Sequence, residues 1–283
     1  MATTRSGSAR GTAFATALLL ALPLGCGGGD GSGTELFAGS ARELVPHETG
    51  RSARFRVTAH QNGQTSVSSF TATVTGNGAD GSFTTRYVSE NGSVAEGTSR
   101  DLGNEIQVVR FVNDPGGPGE DIVTPDPPVG VVRTPVIAGE PLETGFARTL
   151  ELDLRVGSGT ERRAILFTGR ARRVPRERGT VRVADGTWDD AIRYEVTASG
   201  EATIPILGRS VALRVDVTGD EWFAVGVGGV REDLEVTVRA GDERATVSFS
   251  TEREGTSRTT RDGRDDLAER LDREGRDVPR HVS

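Results

Sequence analysis

The feature that most constrains the fold is a strict alternation of apolar and polar residues, which recurs between residues 53 and 250. In the clearest run, 150–156, Leu or Val alternates with Glu, Asp and Arg. Successive side chains of a strand point to opposite faces of a sheet, so each run predicts a strand with one buried and one solvated face. The other clear runs are 70–74, 192–196, 211–217, 234–238 and 245–249.

Turn sequences separate these runs and indicate how the strands connect. They are Asn62-Gly63, Asp80-Gly81, Asn91-Gly92, Asp185-Gly186 and Gly241-Asp242. Gly, Asn and Asp supply the left-handed backbone conformations that tight hairpins need. No convincing segment of helical period lies between residues 53 and 250. We therefore predict an all-β fold, an antiparallel meander that forms a curved sheet or an open barrel.

One segment interrupts the predicted β domain, which we place at residues 44–251. Residues 113–130 are rich in Pro and Gly, which remove hydrogen-bond donors and loosen the chain, so they predict a long irregular loop. Two interpretations stay open: the loop divides two domains, or it crosses between two halves of one sheet.

Beyond the β domain the alternation stops and charged residues dominate. The tail at residues 252–283 carries mixed Glu, Asp and Arg, a composition typical of a solvated segment. We predict that it is disordered or weakly helical, with any short helix near residues 265–274.

The amino terminus has the pattern of an export signal. A basic start with Arg5 and Arg10 precedes an apolar run at 12–24, which is shorter than the roughly 20 residues of a transmembrane helix. The run ends in LPLGC, and its Cys26 is the only cysteine of the chain, so no intramolecular disulfide can form. Residues 1–25 are therefore predicted to be a signal peptide.

This ending resembles the lipobox of bacterial lipoproteins. The resemblance implies that the Cys26 thiol carries a diacylglyceryl group, that cleavage precedes Cys26, and that its amine is acylated, for example with palmitate. Residues 26–43 would then form the lipidated end and a flexible tether. The implied partner is a membrane, held through the lipid anchor. In a Gram-negative cell, Gly27 after the cysteine resembles an outer-membrane address, on the periplasmic or the surface leaflet.

A second resemblance lies in the β domain. Residues 221–231, EWFAVGVGGVR, are similar to a Glu-Trp-Tyr-Ala-x-Gly-Val-Gly-x-Val-Lys/Arg signature of bacterial secreted and lipid-anchored β-proteins of unassigned function. The resemblance implies a curved antiparallel sheet or open barrel and no particular activity. Within it we interpret Trp222 and Phe223 as core anchors, and Gly226 and Gly228 as residues of a tight turn.

Catalytic chemistry finds little support in the sequence. The histidines His47, His60 and His281 have no metal-ligand neighbours at suitable spacing, and no Gly-x-Ser-x-Gly motif occurs. We predict no enzyme activity, no metal and no cofactor. A net charge of −7 argues against a nucleic-acid partner, which requires a positive surface.

One basic stretch is a candidate surface for an anionic partner, either an envelope protein or an anionic lipid. Because Glu161 and Glu177 interleave with it, a solvated strand face is the alternative interpretation. Its members are Arg162, Arg163, Arg170, Arg172, Arg173, Arg176 and Arg178.

The leading functional hypothesis is a cell-envelope lipoprotein that acts by binding or scaffolding. The alternative is a carrier or sensor of a lipid or other apolar ligand, because the predicted strands have apolar faces but few aromatic side chains to fill an interior. A further alternative is an envelope hydrolase that uses His47 or His60.

Overall fold

The alternating runs form long antiparallel strands in the computed structural model, which describes residues 33–117, 120–125, 127–156, 159–184, 186–206 and 209–258. The predicted signal peptide, Cys26 and residues 259–283 of the tail lie outside the described residues. The strands are β1 (Glu35–Phe37), β2 (Arg51–Gln61), β3 (Gln64–Asn77), β4 (Ser82–Ser89), β5 (Val94–Asp101), β6 (Glu105–Asn113), β7 (Asp121–Val123), β8 (Val129–Arg133), β9 (Val136–Ile137), β10 (Leu142–Val156), β11 (Gly159–Val183), β12 (Gly186–Ile206), β13 (Arg209–Ala224), β14 (Gly228–Ala240) and β15 (Glu243–Arg258).

Thirteen of these strands form one antiparallel sheet, which confirms the predicted all-β class. Its order is β10-β11-β12-β13-β14-β15-β2-β3-β4-β5-β6-β7, and β8 also pairs with β6, while β1 and β9 form a separate pair. The last strand of the domain, β15, therefore lies beside β2, near the start of the chain. In the described residues the two ends of the sheet share no ladder, so the sheet is curved and open rather than closed.

The Pro- and Gly-rich segment joins strands of this one sheet. It contains β7 and the start of β8, both paired with β6, and the chain then reaches β10 at the opposite edge. Curvature brings the inner faces of the two ends together. Val129 of β8 belongs to the same buried cluster as Phe146 and Ile165 of β10 and β11. Arg173 Nη1 of β11 also donates to the Val131 carbonyl at 3.1 Å.

The start of the domain lies earlier than the predicted boundary at residue 44. Strand β1 and the first three residues of a one-turn helix, α1 (Ala41–Leu44), lie in the predicted tether at 26–43, and Phe37, Ala41 and Leu44 are buried. A capping box between Ser40 and Glu43 begins the helix, with the Ser40 amide donating to Glu43 Oε1 at 3.0 Å. This local signal was present in the sequence, but the apolar contacts that hold the helix are tertiary.

The end of the domain also lies beyond its predicted boundary, because β15 continues to Arg258. Residues 253–258 pair with β2 up to Arg258 opposite Arg51, although their charge is typical of a tail. Backbone hydrogen bonds hold this segment to β2, and Glu254 also pairs with Arg54 and Arg56 of that strand. Among the described residues no helix is long and apolar enough to cross a membrane.

Candidate functional site

The main candidate site is a cavity of about 270 Å³ on the inner face of the curved sheet, lined by β2–β6 and β8 on one side and by β13–β15, with Arg173 of β11, on the other. One wall carries a row of aromatic rings, in which the Phe55 and Phe70 centroids are 5.1 Å apart and those of Phe70 and Tyr87 are 6.2 Å apart. Other apolar lining residues come from β6, β8 and the β13–β14 hairpin, namely Ile106, Val108, Val129, Val131, Phe223 and Val230. The cavity is therefore mostly apolar.

Small side chains explain why this part of the interior stays open. Ala53 of β2 and Ala72 of β3 lie directly opposite each other and both line the cavity. Ala72 in turn lies opposite Tyr87 of β4. Close packing of a core requires large residues opposite small ones, and two adjacent alanines leave the space unfilled.

A row of polar side chains crosses the inner face at the other wall of the cavity. Tyr194, Glu221, Glu232 and Thr251 are successive ladder partners on β12, β13, β14 and β15. All four are buried. We refer to these four residues as the polar row. Because each strand contributes one member at the same height, the register brings groups from distant parts of the sequence together.

A buried ion pair fixes one member of the polar row. Arg173 of β11 donates from Nη2 to Glu221 Oε1 at 2.9 Å, and its Nε lies 2.8 Å from Glu221 Oε2. The side chains of Arg173 and Glu221 are only 10% and 9% exposed. Such a pair is held in a low-dielectric interior, so loss of either partner leaves an uncompensated charge.

Glu232 is the unusual member of the polar row. It is 9% exposed and lines the cavity, yet no hydrogen bond or ion pair reaches its carboxyl from the described part of the chain. Burial raises the pKa of the Glu232 carboxyl to about 8; the Glu221 carboxylate raises that pKa as well, whereas the Arg173 guanidinium lowers it. The neighbouring Thr251 hydroxyl also lacks a hydrogen-bond partner among the described residues. Two adjacent polar groups on the cavity wall are thus available to a ligand.

The signature segment forms the hairpin between β13 and β14 beside this cavity. Gly226 and Gly228 have φ values of +74° and +98°, a region that favours glycine. The Gly226 amide donates to the Glu43 carbonyl of α1 at 2.6 Å, and Arg253 Nη1 donates to the Val227 carbonyl at 3.1 Å. The turn therefore ties the opening segment of the domain to β15.

The two aromatic residues of the signature pack against different buried clusters. Phe223 contacts Tyr194 edge-on with ring centroids 5.7 Å apart. Trp222 packs with the cluster around Val230 and carries the Arg231 guanidinium over its ring at 5.3 Å. Both are only partly buried, in a core that is poor in aromatic side chains.

The predicted basic surface divides between the two faces of β11. Arg173 points inward to Glu221, whereas Arg170, Arg172, Arg176 and Arg178 do not share its burial. Three of the latter contact carboxylates on adjacent strands: Arg172 pairs with Glu143, Arg176 with Glu195, and Arg178 with Asp190. For Arg162 and Arg163 only the backbone within β11 is described. The anionic partner of this surface stays a prediction.

Neither of the two described histidines is part of a recognisable catalytic arrangement. His47 is buried, stacks on Phe83 with centroids 4.2 Å apart, and contacts the Val45 carbonyl and Asp101. His60 is exposed and its Nδ1 is 2.9 Å from Thr65 Oγ1, while His281 lies outside the described residues. Within the described ranges, no three His, Cys, Asp or Glu side chains are grouped to hold a metal ion.

No protein-family model matches this chain, and no curated protein matches it. Two solved structures are similar to it. A protein from Bacteroides fragilis, described as exported and as having a YmcC-like fold, is 12% identical with a TM-score of 0.35, and the match covers 79% of this chain and 100% of that one. A protein from Parabacteroides distasonis, described as a lipoprotein, is 13% identical with a TM-score of 0.29, covering 80% and 100%. At such scores neither similarity assigns a function.

Proposed function

We propose that this protein is a lipid-anchored protein of the bacterial cell envelope that binds and carries a small apolar ligand in its interior cavity. The proposed role is non-enzymatic: the described lining is mostly apolar, and its polar side chains include no histidine or cysteine that could form a Ser–His or Cys–His pair. The cavity of about 270 Å³ is the observation that carries it. Among the functions that the sequence suggests, a carrier or sensor of an apolar ligand makes the most direct use of such a space.

The cavity has the character of a small-molecule site. Such sites are mostly apolar, with a few polar groups that orient the ligand, and have volumes of about 300–1,000 Å³. The present cavity lies just below that range and would hold roughly nine non-hydrogen atoms, taking about 30 Å³ for each water-sized volume. A medium-length acyl chain or a compact terpenoid fits this size better than a whole phospholipid does.

The anchor is supported by the sequence pattern at residues 1–26. Because β1 begins at Glu35, only a short segment would separate the folded domain from Cys26. If the host is Gram-negative, we place the anchor in the outer membrane. A ligand carrier held this close to a bilayer would exchange apolar molecules with that membrane.

Replacing Cys26 by Ser is expected to move the protein from the membrane fraction to the soluble envelope fraction. The thiol would carry the diacylglyceryl group, and two or more acyl chains are needed for stable anchoring. Fractionation followed by intact-mass measurement tests this. Wild-type protein that is found soluble and without an added acyl mass would contradict the anchor.

Replacing Ala72 by Leu is expected to abolish retention of the ligand, because the larger side chain occupies the cavity. The measurement is native mass spectrometry of the full mature protein, gently purified from its own envelope. The wild type should carry a stoichiometric extra mass, and so should the control Thr71→Leu, whose side chain lies on the other face of β3. A clean apo mass for wild type, or an unchanged ligand in Ala72→Leu, would argue against the carrier.

A further inference from the structure

We infer that the ligand carries an ammonium group beside its apolar body, and that this group pairs with the Glu232 carboxyl and the Thr251 hydroxyl. The inference rests on the proposed function and specifies the ligand's chemistry. Its first support is the position of Glu232, a buried carboxyl on the cavity wall that no described residue pairs with. An unpaired buried carboxyl costs stability, so a bound partner would explain its presence.

A cation fits this wall better than an anion does, because the nearby arginines are already engaged. Arg173 is bound to Glu221 and to the Val131 carbonyl. Arg231 donates to Asp233 Oδ2 at 2.8 Å, and its Nη1 lies 3.7 Å from Glu252. Arg51 donates to the carbonyls of the signature turn, as does Arg253. A carboxylate ligand would have to displace one of these partners.

Thr251 supplies the second support. Its hydroxyl oxygen is buried without a hydrogen-bond partner among the described residues, and the residue lies directly opposite Glu232 in the β14–β15 ladder. An ammonium has three donors, and a carboxylate next to a hydroxyl oxygen presents acceptors to more than one of them. Both residues line the cavity, so the head group would lie at the polar wall and the body along the aromatic wall.

An alcohol would also donate to these groups, but it would not require a carboxyl. A glutamine of the same shape presents two amide donors beside one acceptor, whereas an ionised glutamate only accepts, and an ionised carboxylate forms its strongest hydrogen bonds with a cation. The charged groups that act on Glu232 are Glu221 and Arg173 on the same face and Asp233 next to it in β14, with Arg253 further along β15. A bound ammonium would offset the repulsion from the two carboxylates.

Three probes of one chain length test the inference by isothermal titration calorimetry on the full mature protein: octylamine, 1-octanol and octanoate. We expect octylamine to bind wild type at least about tenfold more tightly than 1-octanol, and octanoate to bind more weakly than either. Glu232→Gln should weaken octylamine binding at least about tenfold and should change 1-octanol binding by a much smaller factor. Thr251→Val should weaken octylamine binding by a smaller factor.

The same titrations in wild type supply a readout that does not depend on any variant. Binding an ammonium ionises Glu232, so octylamine should release a proton below about pH 8, visible as a buffer-dependent heat, and 1-octanol should release none. Equal affinity for octylamine and 1-octanol, or tighter binding of octanoate, would overturn the inference and leave the carrier intact. Failure of all three probes to bind would instead count against the carrier, and the inference would fall with it.

Discussion

Replacing Arg173 by Met is expected to lower the free energy of unfolding by about 3–5 kcal/mol, which is the usual cost of removing one partner of a buried ion pair. The variant leaves the Glu221 carboxylate buried without its guanidinium, and it also removes the hydrogen bond to the Val131 carbonyl. The latter contact joins the two ends of the sheet. Urea denaturation followed by circular dichroism measures the change.

The adjacent residue provides a matched control for this prediction. Arg172 also pairs with a glutamate on β10, Glu143, at 2.9 Å, but the two side chains are 43% and 54% exposed. An exposed pair contributes about 0–1 kcal/mol, so Arg172→Met should change stability little. Similar losses of stability in Arg173→Met and Arg172→Met would contradict the larger contribution expected from the buried pair. The double variant Arg173→Met with Glu221→Leu removes both charges and should recover much of the loss.

The free energy of unfolding is expected to fall by roughly 3–5 kcal/mol as the pH rises from about 4.5 to about 8, because a tenfold change in proton affinity is worth about 1.4 kcal/mol. The pKa of Glu232 is raised from 4.5 to about 8 in the folded protein. Between these values the folded state holds a proton that the unfolded chain has lost, so alkali favours unfolding. The stabilisation is fully present below the lower pKa and is lost on passing the higher one.

Glu232→Gln isolates this effect, since the amide keeps the shape and cannot ionise. Its stability should therefore change much less with pH over that window than that of wild type. The carboxyls with lowered pKa values act in a different window: a hydrogen bond from Arg178 lowers the pKa of Asp190, and its contribution is lost only as acid protonates it. Parallel pH profiles for wild type and Glu232→Gln would show that Glu232 is not the group responsible.

The polar row shows how far the sequence could have led. In β14 the apolar phase of the alternation runs through Val230, Leu234, Val236 and Val238, and Glu232 occupies the same phase. In β15, Thr251 and Arg253 continue the phase of Val247 and Phe249. A polar residue at an apolar position was the available signal. Only the strand order and the register of the ladder show which strands lie side by side and which of these residues contact each other.

The basic stretch illustrates the opposite case. Arg172 and Arg173 are neighbours in the sequence, and composition treats them alike, but successive residues of a strand face opposite sides of the sheet. Arg173 is buried against Glu221 while Arg172 contacts Glu143 at the surface. Glu143 lies in β10, directly before β11, and Glu221 lies in β13, two strands after it. No local sequence pattern predicts either pairing.

The sequence by itself determined the strands, their alternating faces and the turns between them, because the period of two and the turn residues are local properties of the chain. Only the tertiary structure decided that β2 would lie beside β15, that residues 35–44 and 252–258 would belong to the domain, and that the two ends of the sheet would face each other. These outcomes depend on contacts between residues far apart in sequence. The cavity is one of them, since its lining comes from strands as far apart in sequence as β2 and β14 and forms only once the sheet has curved.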